Sequence, residues 1–458
     1  MNRLVPLAAL ALAGCMTAPA PPPTLAAASA TGAFAGSPVA AIAPVPANWW
    51  RLYDDPVLDG LVEASLAANA DLRVAFANLG GARAALRQAR AARLPQTTVE
   101  SAATVDGSAS QPSASSNVPT TDYDLALTAS WDIDLFGRLR SGALAAAADA
   151  GAQAAALDGL RVAVVADTVL AYVELCGATQ ALRVANGQVQ LQERAVAAIA
   201  SQLRAGEVSP LEVSQAAGLL ETTRATIAPQ EALQANAGYR LATLQGRPPA
   251  DARTLRITCA APPKLGTAAP VGDGQALLLR RPDIREAERR LAAAAARIGV
   301  ARADLYPRVN LGGALGLLTG NFVATASPLI SWAFPNQAPA RARIAQAQAT
   351  ERAALASWDV AVLRALREVE TALASYAAET RRNHALGAAV TQADLSARRA
   401  ATRVRLGDAA FLLQLDAERT RAQAAQAQAQ SDLAIAQAQV AVFRALGGGW
   451  QTDAAVLQ

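Results

Sequence analysis

The stretch Tyr123–Arg138, YDLALTASWDIDLFGR, ends one kind of structure and opens another. Up to Leu135 its odd positions are apolar or small: Tyr123, Leu125, Leu127, Ala129, Trp131, Ile133 and Leu135. Asp122 just before it, and Asp124, Thr128, Ser130, Asp132 and Asp134 within it, are polar. Successive side chains of a strand point to opposite faces, so this segment predicts a strand with one oily and one wet face. That pattern suits a wall between lipid and a polar lumen, and it also fits a soluble sheet laid on helices. After Phe136 the alternation gives way to a long helical segment from Arg138 to Ala205, about 100 Å at 1.5 Å per residue.

The same succession recurs further along the chain. Ala92-Arg93-Leu94-Pro95 closes one amphipathic run and Asp304-Leu305-Tyr306-Pro307 closes another, and each proline predicts a helix end followed by extended chain. Thr97–Val105 alternates more weakly, Val309, Leu311, Leu315 and Leu317 mark a third strand, and Leu329–Phe334 is a poor fourth. The separation from Phe136 to Gly206 is 70 residues and from Phe334 to Gly407 is 73. The chain is therefore read as a two-fold internal repeat. The first repeat, 49–245, holds a helix over Val57–Leu94, a hairpin 96–135, a long helix 138–205 and a returning helix 211–245. The second, 282–446, holds a helix over Pro282–Tyr306, a hairpin 308–334, a long helix 338–406 and a returning helix 411–446. In each half the two short helices together nearly equal the long one, so stacking them end to end beside it predicts a slab two helices wide. Pro95 to Phe136 spans 41 residues but Pro307 to Phe334 only 27, with Pro328 inside, so the second hairpin is expected to be shortened.

Four strands cannot close a membrane barrel, because about eight is the smallest number known, and open edges are not tolerated in lipid. Several copies must share one barrel, and three would supply twelve strands.

Composition agrees with helices rather than a bulky core. Apolar residues make up 52% of the chain and aromatics only 4%, because Ala carries much of the apolar count. Ala is the best helix former and packs closely. The net charge is +4, from 41 basic and 37 acidic residues mixed along the chain, and no basic patch with interleaved aromatics points to nucleic acid.

At the N-terminus, Asn2 and Arg3 precede a short apolar segment, Leu4–Leu12, too short to span a bilayer. Leu12-Ala13-Gly14-Cys15 resembles the lipobox of bacterial lipoproteins. The expectation is a signal peptide over 1–14, a covalent lipid on Cys15 and a Pro-rich spacer to residue 48; the alternative is an ordinary signal peptide with an incidental Cys. Cys176 and Cys259 then remain, either bonded in an oxidising compartment or as two unpaired thiols.

Several stretches together resemble a known group, the outer-membrane factors of tripartite efflux systems (TolC/OprM-like), in particular their NodT-type lipoprotein branch. They are the lipobox, Trp49-Trp50-Arg51 with Asp55-Pro56-Val57-Leu58, Trp131–Arg138, Arg280–Leu291, Ala303–Pro307 and Leu413–Arg419. The resemblance implies an α+β membrane protein, a homotrimer whose twelve-stranded β-barrel in the outer membrane continues into a long α-helical barrel. It also implies a periplasmic membrane-fusion adaptor and an inner-membrane RND pump as partners. It places 246–281 as an equatorial linker, with a Cys176–Cys259 disulfide beside it, and 447–458 as a C-terminal tail. At the second glycine turn it makes Asp416 a gate aspartate, Leu412 an apolar plug and Arg419 a charged neighbour, residues that share one helical face. A ring of three carboxylates at a narrow neck would favour cations; the plain alternative is a solvated Asp416–Arg419 pair. Glu212, at the matching turn of the first repeat, is expected to pair with Arg405 and hold the tips shut.

Enzymatic chemistry finds no motif. His384 is the only histidine, which excludes a multi-His metal site, and the sequence has no phosphate loop or dinucleotide fingerprint. Alternating charge from Arg280 to Arg290 reads as a solvated helix face. The expected function is a passive exit duct without cofactor, with a type I secretion duct or a non-conducting coiled-coil envelope lipoprotein as alternatives.

Overall fold

The computed structural model describes residues 46–106, 120–255, 257–265, 280–318 and 321–449. The signal segment, Cys15, most of the spacer, part of the linker and most of the tail lie outside the described residues. The helices are α1 Pro56–Ala68, α2 Ala70–Ala91, α3 Arg138–Arg204, α4 Pro210–Ala225, α5 Ile227–Leu244, α6 Pro282–Ala303, α7 Ala338–Arg405 and α8 Phe411–Ala445. The strands are β1 Gln96–Asp106, β2 Thr120–Ile133, β3 Arg308–Leu318 and β4 Asn321–Ser331. Short 3-10 turns at Trp49–Tyr53 and Pro249–Thr254 precede α1 and follow α5.

Both long helices stop at a glycine in the left-handed region, Gly206 and Gly407, each with φ of 74°. Each stop closes in the same way. Gly206 N donates to Leu203 O and Glu207 N to Gln202 O, while Gly407 N donates to Val404 O and Asp408 N to Arg403 O, all within 2.9–3.0 Å. This is the Schellman pattern, in which a residue without Cβ lets the chain reverse and satisfies the last carbonyls.

Two helices expected to be single are divided. The expected helix over Val57–Leu94 breaks at Asn69, whose backbone is extended. Its Oδ1 accepts from Leu72 N at 3.1 Å and its Nδ2 donates to Leu244 O at 3.0 Å, so it caps α2 while ending α1. The expected helix 211–245 breaks at Thr226, whose Oγ1 donates to Thr223 O at 2.7 Å. In both cases apolar spacing runs on through the break, while a short polar side chain captures backbone groups that the helix would otherwise use.

The chain forms two compact units. The first contains, among the described residues, 78–106, 120–154, 285–318 and 321–360, with the sheet and the helix segments that adjoin it. The sheet is antiparallel in the order β1-β2-β3-β4, so the two repeats meet at the β2–β3 pair, from Leu125↔Leu317 to Ile133↔Val309. The fourth strand corrects the sequence reading: it runs Asn321–Ser331, not Leu329–Phe334, and pairs with β3 from Leu318↔Asn321 to Arg308↔Ser331. The second hairpin is shorter chiefly because residues 319–320 join its strands where residues 107–119 join the first pair. Pro328 is tolerated because β4 is an edge strand, where one side of the ladder has no partner in the chain.

The second unit contains, among the described residues, 46–77, 155–255, 257–265, 280–284 and 361–449. Its core gathers Trp49, Leu58, Val62, Val165, Val169, Tyr172, Leu241, Val362 and Phe443, none more than 1% exposed. Trp49 stacks on Phe443 at 4.6 Å between centroids. Part of α3 is apolar enough to cross a membrane, but 72% of that window is buried inside the protein. It serves as a core helix.

Candidate functional site

The register sorts the sheet into two unlike faces. Val99, Leu127, Leu315 and Ala324 lie side by side across the four strands, as do Ser101, Leu125, Leu317 and Phe322. Trp131, Leu311 and Pro328 continue the same face. The opposite face carries Thr98, Thr128, Ala314 and Thr325 in one row and Ser130, Gly312 and Ser327 in another, with Glu100, Asp124 and Asn310 nearby. Leu329, opposite Asn310, and Val323, opposite Gly316, are exceptions. On the apolar face Val99 is 68% exposed, Leu125 53% and Phe322 70%. Apolar surface of that extent marks contact with lipid or a partner.

Where strands pass into helices, the Trp131–Arg138 motif is used residue by residue. Asp134 accepts from Leu139 N at 3.0 Å and Arg140 N at 2.7 Å, capping the start of α3. Asp132 pairs with Arg138. Trp131 Nε1 donates to Arg93 O and, in the second repeat, Trp332 Nε1 donates to Leu305 O, each at 3.0 Å. Phe136 stacks on Tyr306 at 4.5 Å and Trp332 on Phe334 at 4.8 Å. Aromatics with one polar atom satisfied and an apolar body left open are the residues that settle at a membrane–water boundary.

The second glycine turn presents Leu412, 58% exposed, one helical turn before Asp416. Asp416 accepts from Arg419 across an i, i+3 spacing with both side chains more than half exposed. Within one chain this is the solvated pair. Glu212 and Arg405 are not joined. Glu212 accepts from Ser209 N and closes a capping box at the start of α4, and that hydrogen bonding lowers its pKa. Arg405 donates to Thr402 Oγ1 at 3.3 Å. A local cap three residues away outcompetes a distant cation for the carboxylate. Behind each turn an ion pair bridges the hairpin: Arg224 to Glu193 at 2.8 Å in the first and Arg421 to Asp394 at 2.9 Å in the second.

In the second unit Cys176, fully buried on α3, is bonded to Cys259 of the linker, with Cα atoms 5.4 Å apart. The expectation of a solvated face over Arg280–Arg290 fails at its start. Arg281 is 7% exposed and donates to Ala445 O at 2.7 Å, Asp283 at 2.8 and 2.9 Å and Glu368 at 2.7 Å. Alternating charge resembles a wet surface in sequence; the position immediately before Pro282, at a helix start, was the available sign of an anchor.

Comparison with known proteins gives a consistent result. The profile of the outer membrane efflux protein family matches residues 61–247 and 274–448. The cation efflux system protein CusC of Escherichia coli O6:H1 is 29% identical over 88% of this chain and 89% of its own. The toluene efflux pump outer membrane protein TtgF of Pseudomonas putida is 30% identical over 88% of this chain and 85% of its own. The solved structure of the outer-membrane channel OprN superposes with a TM-score of 0.87 at 36% identity, covering 96% of this chain and all of that one.

Proposed function

The chain belongs to the outer membrane efflux protein family, and from that premise we propose that it is the exit duct of a tripartite efflux pump in the bacterial outer membrane. The observation that carries this reading is the four-stranded sheet, whose exposed apolar face and unpaired β1 and β4 edges suit a wall shared between copies in lipid. Three copies supply twelve strands, β4 of one beside β1 of the next, and the helices continue the duct into the periplasm. Cys15 carries the lipid anchor. The helical tips receive a periplasmic adaptor fed by an inner-membrane RND pump, and the duct itself is passive. At the second turn Leu412 and Asp416 narrow the pore, and Arg419 screens the carboxylate ring until the helices part.

Relatives named for cations and for toluene match about equally well, so the chain's likeness favours neither cargo. The reading assigns selectivity to the pump and conduction of small toxic compounds to the duct. Cells lacking the gene should retain an amphiphilic fluorescent dye that the parent strain expels, and restoring the gene should restore expulsion. Unchanged retention of dyes, drugs and metal ions, together with loss of an exported protein, would instead assign the chain to type I secretion.

A further inference from the structure

The two repeats neutralise the strand–helix junction differently. In the second, Asp304 takes both Arg308, at 2.6 Å, and Arg343, at 2.5 Å. Asp304 lies three residues before Pro307, and the residue three before Pro95 is Ala92. Yet the first repeat places Arg83, Arg87, Arg90 and Arg93 here, at helical spacings of four, three and three. All four are exposed, and among the described residues no carboxylate pairs with them. Like charges at these spacings repel along α2, and Arg93 in the turn just past its end adds a fourth, so the stripe costs stability unless an anion meets it.

The surroundings indicate which anion. Arg87, Arg90, Arg93 and Leu94 line one shallow cleft. Leu94 is 63% exposed, and the Arg93 carbonyl accepts from Trp131, itself 39% exposed on the apolar face of the sheet. The cleft is thereby tied through Arg93 to Trp131, which shares the apolar face of the sheet with Leu127 and Val99. A free inorganic anion would use only the first half of this surface.

We propose that Arg87, Arg90 and Arg93 bind the phosphate of an anionic phospholipid in the periplasmic leaflet, its acyl chains lying against Leu94, Trp131 and the apolar face of β1 and β2. Guanidinium forks match phosphate oxygens pairwise. The site fixes the depth of the barrel on the side where the helices begin. The inference rests on the sheet lying in the outer membrane.

The test compares purified full-length protein in detergent micelles doped with phosphatidylglycerol or phosphatidylcholine, with bound lipid counted by native mass spectrometry. The wild type should retain phosphatidylglycerol in preference to phosphatidylcholine, and excess inorganic phosphate should not displace it. The Arg87→Gln, Arg90→Gln, Arg93→Gln variant should lose about fivefold in affinity per arginine removed. Ala92→Asp, which supplies the carboxylate that the second repeat has, should weaken retention with all arginines in place. Equal retention by both variants overturns the proposal. Displacement by phosphate alone makes the site one for free anions and also overturns it. Failure of the triple variant to trimerise makes the arginines a contact with a second copy, with the same consequence. Conductance of the wild type in the same lipid separates the two readings: a conducting protein that retains no lipid loses only this inference, and one that never inserts loses the duct reading as well.

Discussion

Ser209 and Ala410 hold the same place, three residues after Gly206 and Gly407, yet only Ser209 closes a capping box. The hydrogen bond from Ser209 lowers the Glu212 pKa below the usual carboxylate range. A depressed carboxylate contributes stability above its unfolded pKa and loses it as pH falls through the folded value. The cap of the first tip should therefore loosen on acidification, while the cap at Ala410 has no carboxylate to lose; behind the second turn the acid-sensitive group is instead Asp394, held low by Arg398 and Arg421. Amide exchange checks this: corrected for its intrinsic rate, Ser209 should lose protection on acidification and Ala410 should show no matching step. Arg281 gives a second prediction. Arg281→Ala strands the Ala445 carbonyl and two carboxylates, but Asp283 and Glu368 are about two-fifths exposed and rehydrate. The cost should be about 2–3 kcal/mol, read as a lowered melting temperature, with Arg281→Lys in between. At this scale the sequence showed which residue types cluster at the tips and junctions. It could not show that Arg281 is buried or that Glu212 is already occupied, because both depend on what packs or caps nearby.

Among elements, β2 and the long helices were legible because their periods are unambiguous over many residues. β4 was misplaced, since Phe322, Ala324, Ala326, Pro328 and Ile330 alternate with side chains too mixed to signal a face until β3 supplies the register. The breaks at Asn69 and Thr226 were hidden for the converse reason: apolar spacing continues across them while the backbone does not. The Cys176–Cys259 bond ties α3 to the linker across a sequence separation of 83 residues. Closing a loop of that length restricts the unfolded chain by about 4 kcal/mol. Cys259→Ser, or reduction, should lower the melting temperature of the purified protein, and reduction should have no further effect on the variant. A wild type insensitive to reductant would show that the linker is held by its other contacts.

At the scale of the whole molecule, duplication and open edges belong to one argument. Each repeat supplies one hairpin, the β2–β3 pair joins them, and β1 and β4 remain for neighbouring copies. The repeat was readable from matching Phe-to-Gly distances, and the need for several copies from strand number. The proposed gate was not readable in this way. Asp416 with Arg419 is an ordinary exposed pair within one chain, and only a closed ring of copies gives it another role. The most direct test is single-channel recording of the purified protein in planar lipid bilayers. The account predicts a heat-resistant trimer with a small cation-favouring conductance that rises in Asp416→Ala; a monomer that inserts without conducting, in wild type and variant alike, would contradict it.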